Sequence, residues 1–103
     1  AGPPSKRRRT LLPFRCRTVA APMVGCSDLA WRLLLRRHGA DLCYTEMLYS
    51  ERFAADPEYR ARKLQTCADD APLVVQFCGT DPETLAEAAR LAAPHCAAVD
   101  LNL

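Results

Sequence analysis

The chain has 103 residues, enough for one small domain and too few for two. Half of its residues are hydrophobic, so a packed core is possible, while a net charge of only +2 gives no general attraction to nucleic acid or to a membrane surface. No apolar run approaches the ~20 residues of a transmembrane helix, so we predict no membrane partner.

The first 17 residues differ from the rest of the chain. Three prolines and the basic run at residues 6–9 give no hydrophobic periodicity, which predicts a disordered leader over 1–17. Its positive charge is either simply solvated or steers a polyanion, and a nuclear address signal is a further alternative.

The first regular segment is a strand over 18–21, which Pro22 ends because proline has no backbone N–H to give to a neighbour. Ser27 or Asp28 then caps a helix over 28–38, and Gly39 suits the residue that follows a helix. Helical spacing places the apolar side chains on one face of this helix, namely Leu29, Ala30, Leu33 and Leu34. The arginines fall largely on the other faces, namely Arg32, Arg36 and Arg37.

The middle of the chain continues the alternation. We predict a second strand over 41–45, from which residues 46–48 depart, and a polar stretch over 49–65 in which Pro57 begins a short helix. A continuous β-rich run over 73–77 is typical of a strand buried on both faces of a parallel sheet.

The last segments are a helix and a strand. Asp81 is a good cap, Pro82 fits the first helical position and Pro94 ends the helix, after which a strand runs to Leu103. Strands and helices thus alternate, which predicts an α/β parallel sheet, either doubly wound or part of a (β/α)8 barrel. Since a barrel needs ~250 residues, we expect residues 18–103 to be a partial domain, the N-terminal half of a (β/α)8 TIM barrel truncated after its fourth strand.

The cysteines give no sign of a metal centre. None of the six stands at C-x-x-C spacing, and no secretory segment precedes them. We therefore predict free thiols in a reducing compartment, cytoplasmic or nuclear or both, and no bound metal. Asp100 alone is too little to indicate a metal ligand or a general base.

Candidate binding residues stand where the predicted strands end. Pro22 and Met23 follow the first strand, Gln76 is near the end of the third, and Asn102 is near the end of the fourth. Ligands of parallel α/β folds bind at that edge of the sheet. An amide such as Gln76 in an apolar strand needs partners, either neighbouring backbone or a bound ring with alternating donors and acceptors, such as a flavin. The single Gly25 in the first loop argues against a dinucleotide or Walker loop.

Three segments in order carry a family resemblance: AAPMVGCSDLAWRLLLRRHGADLCYTEML, PLVVQFCGTDPE and AVDLNL. Together they closely resemble the flavin-dependent tRNA-dihydrouridine synthases, over about residues 17–103. The LCYTEM and VVQF details look like the eukaryotic branch that acts on positions 16 and 17 of the tRNA D-loop. The resemblance implies a (β/α)8 barrel with FMN at its C-terminal face, followed by a helical RNA-binding domain.

The resemblance also assigns site residues. Gln76 is expected to bond the ring edge of FMN, and Asn102 belongs to a D-x-N-x-G-C-P motif near the flavin and the target uracil. The residues expected to bind the cofactor are Pro22, Met23, Val24, Gln76 and Asn102.

The catalytic chemistry implied by the family needs residues beyond these. NADPH reduces FMN, the reduced flavin gives hydride to a uracil flipped out of its stack, and a cysteine supplies the proton. That cysteine falls two residues after Leu103, so no catalytic residue is expected within the sequence. We expect residues 1–103 alone neither to bind FMN tightly nor to reduce uridine.

Two other interpretations stay open at this point. One is a different FMN-dependent TIM-barrel oxidoreductase that acts on a small molecule, such as a relative of dihydroorotate dehydrogenase. The other is a non-catalytic α/β fragment that at most binds a partner. With four strands, we also expect an unpaired edge and an inner face on which Val19, Val75 and Val99 lack partners across the barrel.

Overall fold

The structure, a computed structural model, describes residues 16–103, so most of the predicted leader lies outside the described residues. Strands and helices alternate along this part of the chain. In chain order they are β1 (Val19–Ala20), α1 (Leu29–Arg37), β2 (Leu42–Tyr49), α2 (Ser50–Ala55), α3 (Pro57–Lys63), β3 (Leu73–Cys78), α4 (Pro82–Ala92), a 3-10 helix (Ala93–His95) and β4 (Ala98–Leu101). From residue 16 onward, no helix has the length and apolar character needed to cross a bilayer.

The four strands form one parallel sheet in which spatial order equals chain order, β1-β2-β3-β4. Each connection therefore leads to the adjacent strand position, always in the same direction across the sheet. In a doubly wound sheet the direction of these connections reverses at a switch point. Core residues of α2, α3 and α4 pack against β2 and β3, and the thiol of Cys43 on β2 contacts the carbonyl of Arg32 on α1. All four helices thus lie on one face, which confirms the barrel-type fold and removes the doubly wound alternative.

The hydrophobic core lies between the sheet and its helices. The rings of Phe53 on α2 and Phe77 on β3 meet edge to face, with centroids 4.9 Å apart, and both side chains are fully buried. The remaining buried members of this cluster are Leu48, Tyr59, Leu73, Val75, Ala88, Ala92 and Cys96.

The opposite face of the sheet, here called the inner face, carries the residues that alternate with the core. Val75 is fully buried among the helices and Val99 packs against the same cluster, so their predicted place on the inner face is wrong. The prediction assigned them to the wrong side of an alternating strand, where neighbouring residues point to opposite faces. Val19, the register partner of Leu42, is on the inner face as predicted. From β2, β3 and β4 that face carries Tyr44, Met47, Val74, Gln76, Ala98 and Asp100.

Strand β2 is longer than its sequence predicts. It continues through residues 46–48, which were expected to leave it, and ends at Tyr49. The register shifts between Tyr44 and Met47, so that two residues of β2 face one residue of β3. This is a β-bulge, which bends a strand and redirects its side chains.

The helix starts mostly follow the predicted caps. Asp28, and not Ser27, caps α1 by accepting the N–H of Trp31 at 2.9 Å. Asp81 caps α4 through the N–H of Thr84 at 2.9 Å, and Pro57 begins α3 as expected. Helix α2 was not predicted, and it lies at the start of the stretch over 49–65 that was predicted to be polar.

The first strand is fastened to the sheet by one carboxylate. Oδ2 of Asp41 accepts the backbone N–H groups of Arg17 at 2.8 Å and Thr18 at 3.2 Å. The hydroxyl of Thr18 donates to the carbonyl of Gly39 at 2.7 Å. The two backbone bonds to Asp41 hold the pKa of this exposed carboxyl below its usual range.

We expect acid to loosen β1 before the rest of the sheet. A folded pKa below the unfolded one stabilises the folded state above the unfolded pKa, near 4, and that stabilisation is lost as the pH falls through the folded pKa. Amide-exchange protection of Val19 and Ala20, corrected for intrinsic rates, should therefore fall between pH 5 and pH 3 in the native protein. Asp41→Asn should show the low protection already at pH 6, whereas the exposed-site control Asp69→Asn should behave as wild type. Unchanged protection at pH 3 would contradict this.

Candidate functional site

Polar side chains meet on the inner face at the C-terminal edge of the sheet. The amide nitrogen of Gln76 donates to Oδ2 of Asp100 on the neighbouring strand at 2.8 Å. The amide nitrogen of Asn102, just beyond β4, contacts the sulfur of Met47 on β2 at 3.3 Å. Three strands therefore contribute side chains to one small area.

The orientation of the Gln76 amide follows from its partner. A carboxylate only accepts hydrogen bonds, so the NH2 group of Gln76 must face Asp100 and its Oε1 must face away. The residue is 7% exposed, and no group within residues 16–103 donates to Oε1. The partner is thus a neighbouring carboxylate rather than backbone, and one acceptor of the buried amide remains available to a ligand.

The loop after β1, residues 22–26, lies at the same edge. The N–H of Cys26 donates to the carbonyl of Met23 at 3.0 Å, which closes a turn whose third residue, Gly25, has φ +78°. Only glycine takes this conformation without strain. The side chains of Met23 and Val24 are exposed, so the turn presents apolar groups at the edge of the sheet.

The β-bulge turns Glu46 toward that loop. Its Oε1 accepts the N–H of Gly25 at 3.1 Å, and its Oε2 pairs with the ammonium of Lys63 at 3.3 Å. The adjacent bulge residue Thr45 accepts the N–H of Gln76 through its hydroxyl at 3.2 Å. The bulge thus supports both the loop and Gln76. It was not predicted, because a bulge has no simple periodic pattern in the sequence.

A buried ion pair holds the other end of the loop. Arg32 of α1 is 1% exposed, and its Nε and Nη2 donate to Oδ2 of Asp70 at 2.9 and 2.7 Å. Its Nη1 donates to the carbonyl of Ser27 at 2.9 Å, and its Nη2 also donates to the carbonyl of Gln65 at 2.7 Å. The Ser27 hydroxyl in turn accepts the N–H of Met23 at 2.9 Å. Ser27 therefore links the ion pair to the turn, because its carbonyl binds Arg32 and its hydroxyl binds Met23.

This arrangement corrects the expected role of the α1 arginines. Arg36 also binds Asp70, at 2.9 Å, so two of the three arginines that were expected to lie away from the packed face are used inside the protein. Conversely, Leu34 was expected on the packed face and is 46% exposed. Helix α1 therefore contributes little free positive charge for a polyanion.

Comparison with known proteins gives the family. The family model described as "Dihydrouridine synthase (Dus)" matches residues 18–103. This chain belongs to the dihydrouridine synthase family.

Three proteins named as tRNA-dihydrouridine synthases, or as similar to them, resemble this chain in sequence. The chain is 56% identical over 89 residues to the "tRNA-dihydrouridine(16/17) synthase [NAD(P)(+)]-like" protein of Rattus norvegicus, covering 84% of this chain and 20% of that protein. It is 52% identical over 88 residues to the tRNA-dihydrouridine(16/17) synthase of Saccharomyces cerevisiae, covering 82% and 21%. A human tRNA-dihydrouridine(20a/20b) synthase-like protein is 40% identical over 84 residues, covering 82% and 26%. The chain thus spans about a fifth to a quarter of the length of these relatives.

For this member of the family, the structure groups the expected site residues in two sets. Gln76 and Asn102 lie on β3 and just beyond β4, within the area shared with Asp100 and Met47. Pro22, Met23 and Val24 lie on the loop at the same edge, and the hydrogen bonds of this loop go to Ser27 and Glu46 rather than to Gln76. That these residues bind a cofactor stays a prediction.

Thiols and metal ligands add no further centre to the described part of this family member. Burial raises the pKa of Cys43 and of Cys96, so both stay protonated thiols that fill the core. Between residues 16 and 103, no three His, Cys, Asp or Glu side chains are grouped so that they could hold a metal ion.

Proposed function

We propose that the protein that carries this sequence is an FMN-dependent tRNA-dihydrouridine synthase that uses NADPH to reduce uridines 16 and 17 of the D-loop. Family membership over residues 18–103 supports the reduction of uridine to dihydrouridine. The names of the rat and yeast relatives support positions 16 and 17 of tRNA as the nucleotides that are reduced. The observation that carries the proposal is Gln76, an inner-face amide oriented by Asp100 at the edge where parallel α/β folds bind their ligands.

The residues present fit a flavin ring. The pyrimidine end of an isoalloxazine has alternating hydrogen-bond donors and acceptors, and Oε1 of Gln76 supplies a matching acceptor that is free within the described chain. Bound there, FMN supplies the hydride transfer that connects NADPH oxidation to reduction of the uracil ring.

The chain's own side chains have defined tasks in this proposal. Gln76 binds the ring edge, and Asp100 holds its amide in the orientation that keeps Oε1 available. The exposed apolar side chains of Met23 and Val24 cover the ring and exclude water from it. Asn102 lies beside this area with its amide nitrogen on Met47, close to where a flipped uracil would enter.

We expect Gln76→Leu to weaken FMN binding about fivefold, because one hydrogen bond to a neutral partner is worth roughly 1 kcal/mol. The matched control is Gln65→Leu, since the side chain of Gln65 is exposed and only its backbone carbonyl is used. FMN affinity is measured by quenching of flavin fluorescence, and product by dihydrouridine formed from unmodified tRNA with NADPH. A wild-type protein that forms no dihydrouridine, or a Gln76→Leu variant with unchanged FMN affinity, would contradict the proposal.

A further inference from the structure

Helices α2 and α3 carry a cluster of cations around one aromatic ring. The guanidinium carbons of Arg52 and Arg62 lie 4.4 and 5.6 Å from the ring centroid of Tyr59, and the ammonium of Lys63 lies 5.9 Å from it. Lys63 pairs with Glu46. Arg52 and Arg62 are exposed and form no ion pair with any residue from 16 to 103, including the exposed Glu51 and Glu58 of the same helices.

The cluster lies beside the candidate flavin site. The hydroxyl of Tyr59 accepts the backbone N–H of Tyr49, the last residue of β2, at 3.0 Å, which places the ring at the C-terminal edge of the sheet. Lys63 reaches the same edge through Glu46, which also binds the N–H of Gly25 in the loop after β1. The side chain of Tyr49 is 53% exposed at this edge.

These groups have the chemistry that an RNA strand needs. Like charges held near one ring repel each other, and Glu46 compensates only Lys63, so Arg52 and Arg62 gain from a bound anion. A guanidinium matches the two oxygens of a phosphate in a planar, bidentate way. An exposed aromatic ring such as Tyr49 offers a stacking surface to an unpaired base.

We propose that Tyr49, Arg52 and Arg62 form a docking surface for the RNA segment next to the target nucleotide. Arg52 and Arg62 bind its phosphates, and Tyr49 stacks on an adjacent unpaired base. The proposal rests on the proposed function, because that function makes RNA the partner. The C-terminal edge of the sheet then has two sites, one for the flavin and one beside it for the RNA backbone that flanks the target nucleotide.

The test compares two double charge reversals in the protein that carries this sequence. R52E/R62E should weaken tRNA binding at least tenfold at physiological salt and make the slope of log K against log salt less negative by about 1 to 2, since each phosphate contact contributes nearly one unit. R37E/R90E reverses exposed arginines in the last turns of α1 and α4, at the opposite edge of the sheet, and should leave both quantities near wild type. FMN affinity should be unchanged in both variants.

The aromatic part is tested by two substitutions at one position. Tyr49→Phe keeps the ring and should bind tRNA as wild type does, whereas Tyr49→Ala should lose about tenfold. If R52E/R62E binds tRNA as tightly as R37E/R90E while wild type forms dihydrouridine, the docking surface is wrong and the proposed function stands. If wild type binds FMN and forms no dihydrouridine, while R52E/R62E still loses tRNA binding, the docking surface is supported and the proposed function is overturned.

Discussion

Replacing Asp70 with asparagine is expected to lower the free energy of unfolding by about 3–5 kcal/mol, the usual cost of removing one partner from a buried ion pair. The carboxylate is buried, and Arg32 and Arg36 bind its two oxygens from the same helix. Asparagine keeps the shape of the side chain but removes the charge that compensates two guanidiniums. The penalty comes from leaving buried charge without a counterion, and much less from the hydrogen bonds themselves.

The same network predicts a ranking among the α1 arginines. Arg32→Met removes four hydrogen-bond contacts, yet Arg36 still neutralises Asp70, so its cost should be smaller than that of Asp70→Asn. Arg36→Met should cost less again, because this side chain is partly exposed. Arg37→Met is the matched control on the same helix, since Arg37 is exposed, and it should stay within about 0.5 kcal/mol of wild type.

Urea unfolding of the four variants measures these differences. A cost for Arg37→Met as large as that for Arg32→Met would show that the effect comes from helix propensity or net charge rather than from the buried pair. Asp70→Asn within 1 kcal/mol of wild type would show that the ion pair is dispensable. Since Arg32 also holds Ser27, its loss should in addition raise amide exchange in the turn at residues 23–26.

Local chemistry explains which parts of this fold were predictable. The crossovers followed from apolar runs separated by helical periodicity, and Asp28, Asp81 and Pro57 marked helix starts because caps depend on neighbouring backbone N–H groups. The common edge of Gln76 and Asn102 followed from parallel strands, whose C-terminal ends meet on one side of a sheet.

What the sequence missed depends on contacts distant along the chain. Arg32 is buried because Asp70, 38 residues later, neutralises it. The residue pattern of α1 alone does not reveal a partner that lies outside the helix. The bulge in β2 changes which side chains share a face of the sheet. Extending the regular alternation of residues 41–45 along the strand therefore does not predict the faces on which Glu46 and Met47 lie. The free acceptor of Gln76 likewise became visible only when its nitrogen was found on Asp100.

Helix α2 also depends on contacts that are distant along the chain. Its six residues are too few for intrinsic helix formation, so packing must hold them. Phe53 inserts into the core against Phe77, and Nη1 of Arg60 donates to the Phe53 carbonyl at 2.6 Å. Phe53→Ala is therefore expected to cost about 3–5 kcal/mol, because it leaves a cavity under the helix.

The control separates this from a general loss of apolar surface. Leu34→Ala also shortens a large apolar side chain, but Leu34 is about half exposed, so the change should be within about 0.5 kcal/mol of wild type. Combining Phe53→Ala with Phe77→Ala should reveal a coupling of about 1 kcal/mol for the aromatic pair. Additive costs would contradict the edge-to-face contact as a source of stability.

Exchange measurements then show where the loss occurs. If Phe53 anchors α2, amide protection in Ser50–Ala55 and Pro57–Lys63 should fall further in Phe53→Ala than protection in α1, because the Arg60 bond couples α3 to α2. Equal losses across both regions would mean that Phe53 stabilises the whole sheet rather than this helix pair. A selective loss would also weaken tRNA binding without changing net charge, since Arg52 lies on α2 and depends on Phe53 for its position beside Tyr59.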